Sequence, residues 1–192
     1  MSDATPDEEP VRRAVLLDYL AHGGDGRRGY DRSPVGYAVD LTDFSLYELA
    51  LDEDERVTVG SEIVVEPAGE RDVVLEAHRV DYGDLSSGAT SELEYVIEDV
   101  VEDQEERFVD YYNDAQPITL RLHQLNLLPG IGKKLRNAIL DERKREPFGS
   151  FEDLEERVSG LHDPADTLVE RILEEIKNED LKYRTFVGRS DE

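Results

Sequence analysis

The run LPGIGKK at residues 128–134 has the residue types and spacing to grip a phosphate. Pro129 fixes its own φ and cannot continue a preceding helix. Gly130 and Gly132 permit positive φ and carry no side chain, so another molecule can approach the backbone. Ile131, between them, reads as a plug into a core. The next helix is expected to start near Lys133, which leaves its first N–H groups facing outward at the positive end of the helix dipole. A phosphate held by those groups is flanked by Lys133, Lys134 and Arg136. Such contacts carry no base information and predict backbone binding with weak sequence selectivity. Taken alone, the five letters LPGIG read equally well as a plain connector in a helix bundle.

The charge around the motif weighs against the plain connector. The 192 residues hold 47 acids and 22 bases, a net charge of −25. Residues 1–116 carry 9 bases and 31 acids, whereas 117–192 carry 13 and 16. Within 121–145, seven bases (Arg121, Lys133, Lys134, Arg136, Arg143, Lys144, Arg145) face only Asp141 and Glu142. A basic island in so acidic a chain points to an anionic partner. Acidic excess with only 5 Lys among the positive charges resembles the proteins of salt-loving microbes.

Composition excludes several classes. With no Cys there is no disulfide framework, thiolate metal site or cysteine nucleophile. No apolar run approaches membrane-spanning length and the first residues are acidic, so a cytoplasmic protein is expected. No Walker-type phosphate loop, G-x-S-x-G elbow or H-E-x-x-H pair is present, and the four His are scattered. With 47 acids, a chance pair of carboxylates carries no information, so no catalytic residue is assigned and a non-enzyme is expected.

The elements that must position the motif follow from periodicity. Residues 1–12 read as a disordered acidic tail. Five strand-like runs, 13–20, 35–41, 44–51, 61–66 and 72–82, fit a small antiparallel barrel of the oligonucleotide/oligosaccharide-binding (OB) type, and another small barrel nearly as well. A long helix over 91–112 is expected, with Ser91 and Glu94 as its capping box and Gln104 interrupting its apolar stripe. Four helices follow: an amphipathic one over 118–127, then 135–146, the EDLEERV run, and 167–178. A turn at 158–164, VSGLHDP, repeats LPGIGKK thirty residues on. The reading is thus α+β in two domains: an OB-like barrel at 13–88, a connecting helix at 89–116, an all-α domain at 117–182 built around two turns, and a tail at 183–192.

LPGIGKK between two helices resembles the helix-hairpin-helix motif of nucleic-acid-binding proteins, and its drifted repeat resembles the tandem form. The runs EDVVEDQEERFVDYYNDAQPIT, RLHQLNLLPGIGKK, ILDERKREPFGSFEDLEERVSGLHDP and VERILEEIKN are similar to the archaeal family known as domain of unknown function 655. The likeness covers roughly residues 13–187 and is most specific over 92–178. It implies an OB-like domain joined to a helix-hairpin-helix domain, with RNA ahead of DNA as ligand. It also implies that Leu128, Gly130, Ile131 and Gly132 meet the phosphate directly or through K+ or Na+ on hairpin carbonyls, those of Leu128 and Gly130 foremost. In the second copy His162 stands for Gly132, Asp163 for Lys133 and Pro164 for Lys134. An acid in the lysine's place marks that copy as mainly structural, with Gly160 and Leu161 as weaker contacts.

Arg27, Arg28 and Arg32 beside Tyr30 form a further basic loop. It suits a single strand by charge and stacking, and suits the protein's own carboxylates slightly better. The expectation is therefore a monomeric, non-catalytic nucleic-acid-binding protein. Two other classes stay open: a component of DNA repair or nucleic-acid processing, and an adaptor on the transcription or translation machinery that docks through the acidic helix.

Overall fold

A computed structural model of the chain describes residues 9–22 and 33–188. The fold is α+β, and it divides into two compact units, one running to Leu93 and taking in Gly188, the other spanning Glu94–Val187.

The first unit is a curled five-stranded antiparallel half-barrel of order β4-β1-β2-β3-β5. Its strands are β1 (Arg12–Leu20), β2 (Val35–Asp40), β3 (Leu46–Leu51), β4 (Glu62–Glu66) and β5 (Val74–Val80). All five expected strands are present within a residue or two, and β1 begins at Arg12, inside the expected tail. β1 and β2 sit between neighbours and are covered on both faces, so Ala14–Leu17 and the whole of β2 are buried. β5 is an edge, and only Val74 along it is buried. Ala14, Leu16, Ala38, Tyr47, Leu49, Leu51, Ile63, Val65 and Val74 fill the concave side. β4 and β5 stay unpaired with each other, so the expected barrel is open rather than closed. At the end of β2, Asp40 lies buried, accepts the N–H groups of Thr42 and Asp43, and is pushed above its ordinary range by that burial.

The expected long helix is two. Helix α1 spans Ser87–Asp103 and α2 spans Glu105–Asp114, with Gln104 between them at φ −107°, ψ 38°. An apolar residue at 104 would have kept the buried stripe continuous, and the half-exposed glutamine that stands there lets the helix break. The expected capping box fails, because Ser91 lies one turn inside α1 and donates back to the Ser87 carbonyl at 3.0 Å. The cap belongs to Ser86, whose hydroxyl accepts the Ala89 N–H at 3.1 Å.

No helix fills 118–127. Residues 117–122 make a tight loop and Gln124–Leu127 a single 3-10 turn. The Thr119 hydroxyl accepts the N–H groups of Arg121 and Leu122 at 3.2 and 3.0 Å, which draws them from any helical ladder. Helices α3 (Lys133–Arg145), α4 (Phe151–Arg157) and α5 (Pro164–Lys177) follow. Helix α2 is their anchor. Tyr112 donates to the Pro164 carbonyl at 2.8 Å, Asn113 clasps both backbone groups of Phe148, and Glu105 accepts the Phe151 N–H.

Candidate nucleic-acid interface

Residues 128–132 form a turn that ends on α3. The Ile131 N–H donates to the Leu128 carbonyl at 3.3 Å and Gly130 sits at φ +76°, left-handed backbone that an L side chain strains. Ile131 is buried beneath it as expected, at 5% exposure, and so is Leu128, at 2%. Gly132 departs from expectation. Its φ is −86° with ψ −170°, ordinary extended backbone, and it is the residue capping α3. Its role is absence of a side chain. It offers no capping oxygen, so the outward N–H groups of the first turn of α3 have no side-chain acceptor.

Cations surround this opening. Lys133 and Lys134 are exposed and make no ion pair among the described residues, and the same holds for Arg121. Arg136 is held in place, with Nη1 donating to Asn126 Oδ1 at 3.1 Å and Nε and Nη2 to Asn137 Oδ1 at 3.3 Å. Of the rest of the basic island, Arg143 donates to the Tyr112 carbonyl and Arg145 pairs with Glu142, while Lys144 is exposed with no ion pair among the described residues.

Asn126 is the organising residue that the sequence reading missed. Its Oδ1 accepts from His123 N–H and Arg136, and its Nδ2 donates to the Ile131 carbonyl at 3.2 Å. A polar residue set among Leu125, Leu127 and Leu128 was the available signal. His123 both packs and caps: it is buried and its Nδ1 accepts the Leu125 N–H at 3.1 Å.

The turn opens into a shallow pocket of about 600 Å³ lined by Asn126–Gly132 and by Arg171 and Glu174 of α5. Arg171 forms wall rather than ligand. Its guanidinium is fully engaged, with Nη1 on Glu174, Nε on the buried Glu175 and Nη2 on the Tyr183 carbonyl. Glu175 in turn accepts the N–H groups of Thr185, Phe186 and Val187, so this part of the expected tail is strapped to α5.

The second turn repeats the first up to a point. Gly160 has φ +89°, Leu161 is buried, and the Leu161 N–H donates to the Val158 carbonyl at 3.2 Å. It lies near α3, where a Cβ on Gly160 would stand 3.8 Å from Leu135 Cδ2. It then runs one residue longer. The cap of α5 is Asp163, so Asp163 matches Gly132 and Pro164 matches Lys133, which corrects the ungapped alignment. The Asp163 carboxylate accepts the Asp166 N–H at 3.0 Å, and Pro164 has no N–H. This helix start is closed by its own acid. Arg27, Arg28, Arg32 and Tyr30 lie outside the described residues.

Of the carbonyls expected to hold a monovalent cation, that of Ile131 takes the Asn126 amide and that of Gly132 takes the Arg136 N–H. The Leu128 oxygen keeps one lone pair beyond its bond to Ile131, and no donor is assigned to the Gly130 oxygen. Among the described residues, no three His, Cys, Asp or Glu converge as metal ligands, and no helix is long and apolar enough to cross a membrane.

A family described as "Protein of unknown function (DUF655)" matches residues 11–188 of the chain. The chain belongs to this family. The DUF655 assignment agrees with two archaeal relatives. The uncharacterized protein MJ0038 of Methanocaldococcus jannaschii is 35% identical over 176 residues, 91% of this chain and 78% of its own. The crystal structure of Af1531 from Archaeoglobus fulgidus, itself described as DUF655, superposes with a TM-score of 0.83 at 39% identity, covering 92% of this chain and 99% of that one.

Proposed function

We propose that the protein is a non-catalytic nucleic-acid-binding protein, RNA ahead of DNA, that holds the phosphate backbone on the turn 128–134. The observation that carries this is the contrast between the two turns. The first exposes the N-terminus of α3, without a side-chain cap, beside Lys133, Lys134 and the Asn126-bound Arg136, while its repeat closes the same position with Asp163. An open helix start with adjacent cations is an anion site. In this reading the paired turns are a tandem helix-hairpin-helix. The half-barrel is OB-like, supported by the strand order in which β1 pairs with both β2 and β4, and β3 with β5. A K+ or Na+ ion, where one bridges protein and phosphate, sits on the carbonyl oxygens of Leu128 and Gly130.

The test is anisotropy titration of the whole protein with a labelled RNA stem–loop and a duplex DNA across a salt series. Four phosphate contacts give a slope of log affinity on log salt of about −3 to −4. Binding of neither probe at low salt overturns the proposal.

A further inference from the structure

The loop 117–122, whose side chains the turn 128–134 does not use, is built with unusual completeness. Pro117 and His123 bridge its base, Gln124 N–H donates to the Gln116 carbonyl, and Gln116 N–H donates to Gln124 Oε1 at 2.7 Å. Ile118 and Thr119 N–H both donate to the Leu122 carbonyl, and Thr119 Oγ1 accepts from Arg121 and Leu122. Every N–H of the loop is thus engaged except that of Leu120, at its tip. The Leu120 side chain is fully exposed at 107%, and Arg121 beside it has no ion pair among the described residues.

A single exposed leucine is ordinary. Its setting is what argues for a role. Residues 115–140 contain no Asp or Glu, in a chain where 47 of 192 residues are acids. That window takes in the loop, the turn 128–132 and the start of α3. His123 and Asn126 join them rigidly: the first closes the loop and caps the 3-10 turn, the second ties that turn to Ile131 and Arg136. A segment free of acids over this whole stretch fits a polyanion rather than a protein partner.

We propose that Leu120 and Arg121 form a second contact on the same nucleic acid, with Arg121 on a phosphate and Leu120 packed against an unstacked base. Apolar side chains at loop tips fit such a role because base faces are apolar. The proposal rests on the nucleic-acid reading above, and the experiment separates the two. The chain has no Trp, so Leu120→Trp gives a single indole at the tip. With the RNA stem–loop as probe, Leu120→Ala is expected to weaken binding roughly tenfold without changing the salt slope, the loss being apolar. Arg121→Ala is expected to flatten the slope by about one unit. The indole emission of Leu120→Trp is expected to be quenched on saturation with RNA. Melting curves should match wild type, because the Leu120 side chain is fully exposed. If wild type binds while Leu120→Ala binds equally well, or the indole is unmoved at saturation, the loop is no contact and the turn stands alone. If wild type does not bind, the parent reading fails first and takes this one with it.

Discussion

Gly132 and Asp163 occupy the same place in the two glycine turns, immediately before α3 and α5, and they fill it in opposite ways. Gly132 offers no side-chain acceptor to the helix, whereas the Asp163 carboxylate accepts the Asp166 N–H at 3.0 Å. Of the two repeated turns, one leaves its helix start without a side-chain acceptor and the other closes it with its own carboxylate; in the proposed function only the first binds an anion. This contrast allows a substitution that separates binding from folding. The backbone at Gly132 is extended and a Cβ there meets nothing within 4 Å, so Gly132→Asp is unstrained. An N-cap Asp stabilises a helix by a few tenths of a kcal/mol over Gly. Its carboxylate takes the N–H groups that a phosphate would use, a loss of about 1.5–3 kcal/mol, or roughly ten- to a hundredfold in affinity. Unaltered RNA affinity in a variant that melts at or above the wild-type temperature would show that α3 is only a connector.

In the proposed function Lys133 and Lys134 act by charge alone. Each is exposed and unpaired, so Lys133→Ala or Lys134→Ala is expected to leave stability within about 0.5 kcal/mol. Each should reduce the salt slope by about one unit if it meets a phosphate. A parallel displacement of the salt plot, with its slope retained, would remove that lysine from the phosphate contact.

Gly130 is expected to behave differently from Gly132. A Cβ on it also meets nothing, so the cost of Gly130→Ala comes from backbone at φ +76° alone, about 1–2 kcal/mol. Urea unfolding should show a lower midpoint with an unchanged slope. Loss of RNA binding without a midpoint shift would mean that the left-handed turn is not what the glycine serves.

The first turn was legible because its information is local. Pro129, Gly130 and the buried Ile131 determine a backbone path within four residues. The strands were legible for a related reason, since Val35–Asp40 and Leu46–Leu51 carry residues that only a covered sheet suits. What escaped was set by side chains competing for the backbone. Thr119 draws off two N–H groups and turns an amphipathic run into a loop, and Ser86 rather than Ser91 caps α1. The extra residue before α5 escaped because Pro164 looked like the repeat's drifted lysine when it is the first residue of a helix. The strap over Glu175 depends on contacts ten to twelve residues away that no spacing reveals.

His123 makes the site sensitive to acid. Burial, with the positive charges of Arg143 and Arg136 nearby, holds its pKa below the ordinary value. Its Nδ1 accepts the Leu125 N–H, a role that requires the neutral ring. The folded state therefore binds the proton less readily than the unfolded chain. The stability this contributes is complete above the unfolded pKa of about 6.5 and is lost as pH falls through the lower folded value. Melting temperature should fall more steeply below pH 6.5 in wild type than in His123→Asn, whose side chain can cap without titrating. Parallel curves for the two would assign the acid sensitivity to other groups.

Glu175 holds the far wall of the pocket in place. It is fully buried and accepts four donors: Arg171 Nε at 3.0 Å and the N–H groups of Thr185, Phe186 and Val187 at 2.8, 2.8 and 3.0 Å. At i and i+4 on α5, the Arg171–Glu175 pair has the spacing of an exposed helix pair worth a few tenths of a kcal/mol. Its burial makes it something else. Glu175→Ala leaves Arg171 Nε and three N–H groups without their acceptor while Nη1 keeps its pair with Glu174, so the cost is expected at the lower end of that for a half-broken buried pair, about 3 kcal/mol. Glu175→Gln keeps the shape but sets an amide NH2 against one group of donors, a cost of about 1–3 kcal/mol. Replacing both partners, as in Arg171→Met with Glu175→Leu, removes the half-broken pair but still strips the acceptor from the three N–H groups, so it should fall between the two. Urea midpoints ordered wild type, Glu175→Gln, double variant, Glu175→Ala would confirm that the carboxylate organises both the strap and the wall. A Glu175→Ala midpoint within experimental scatter of wild type would place Glu175 outside the folding core and leave Arg171 free to turn toward the pocket.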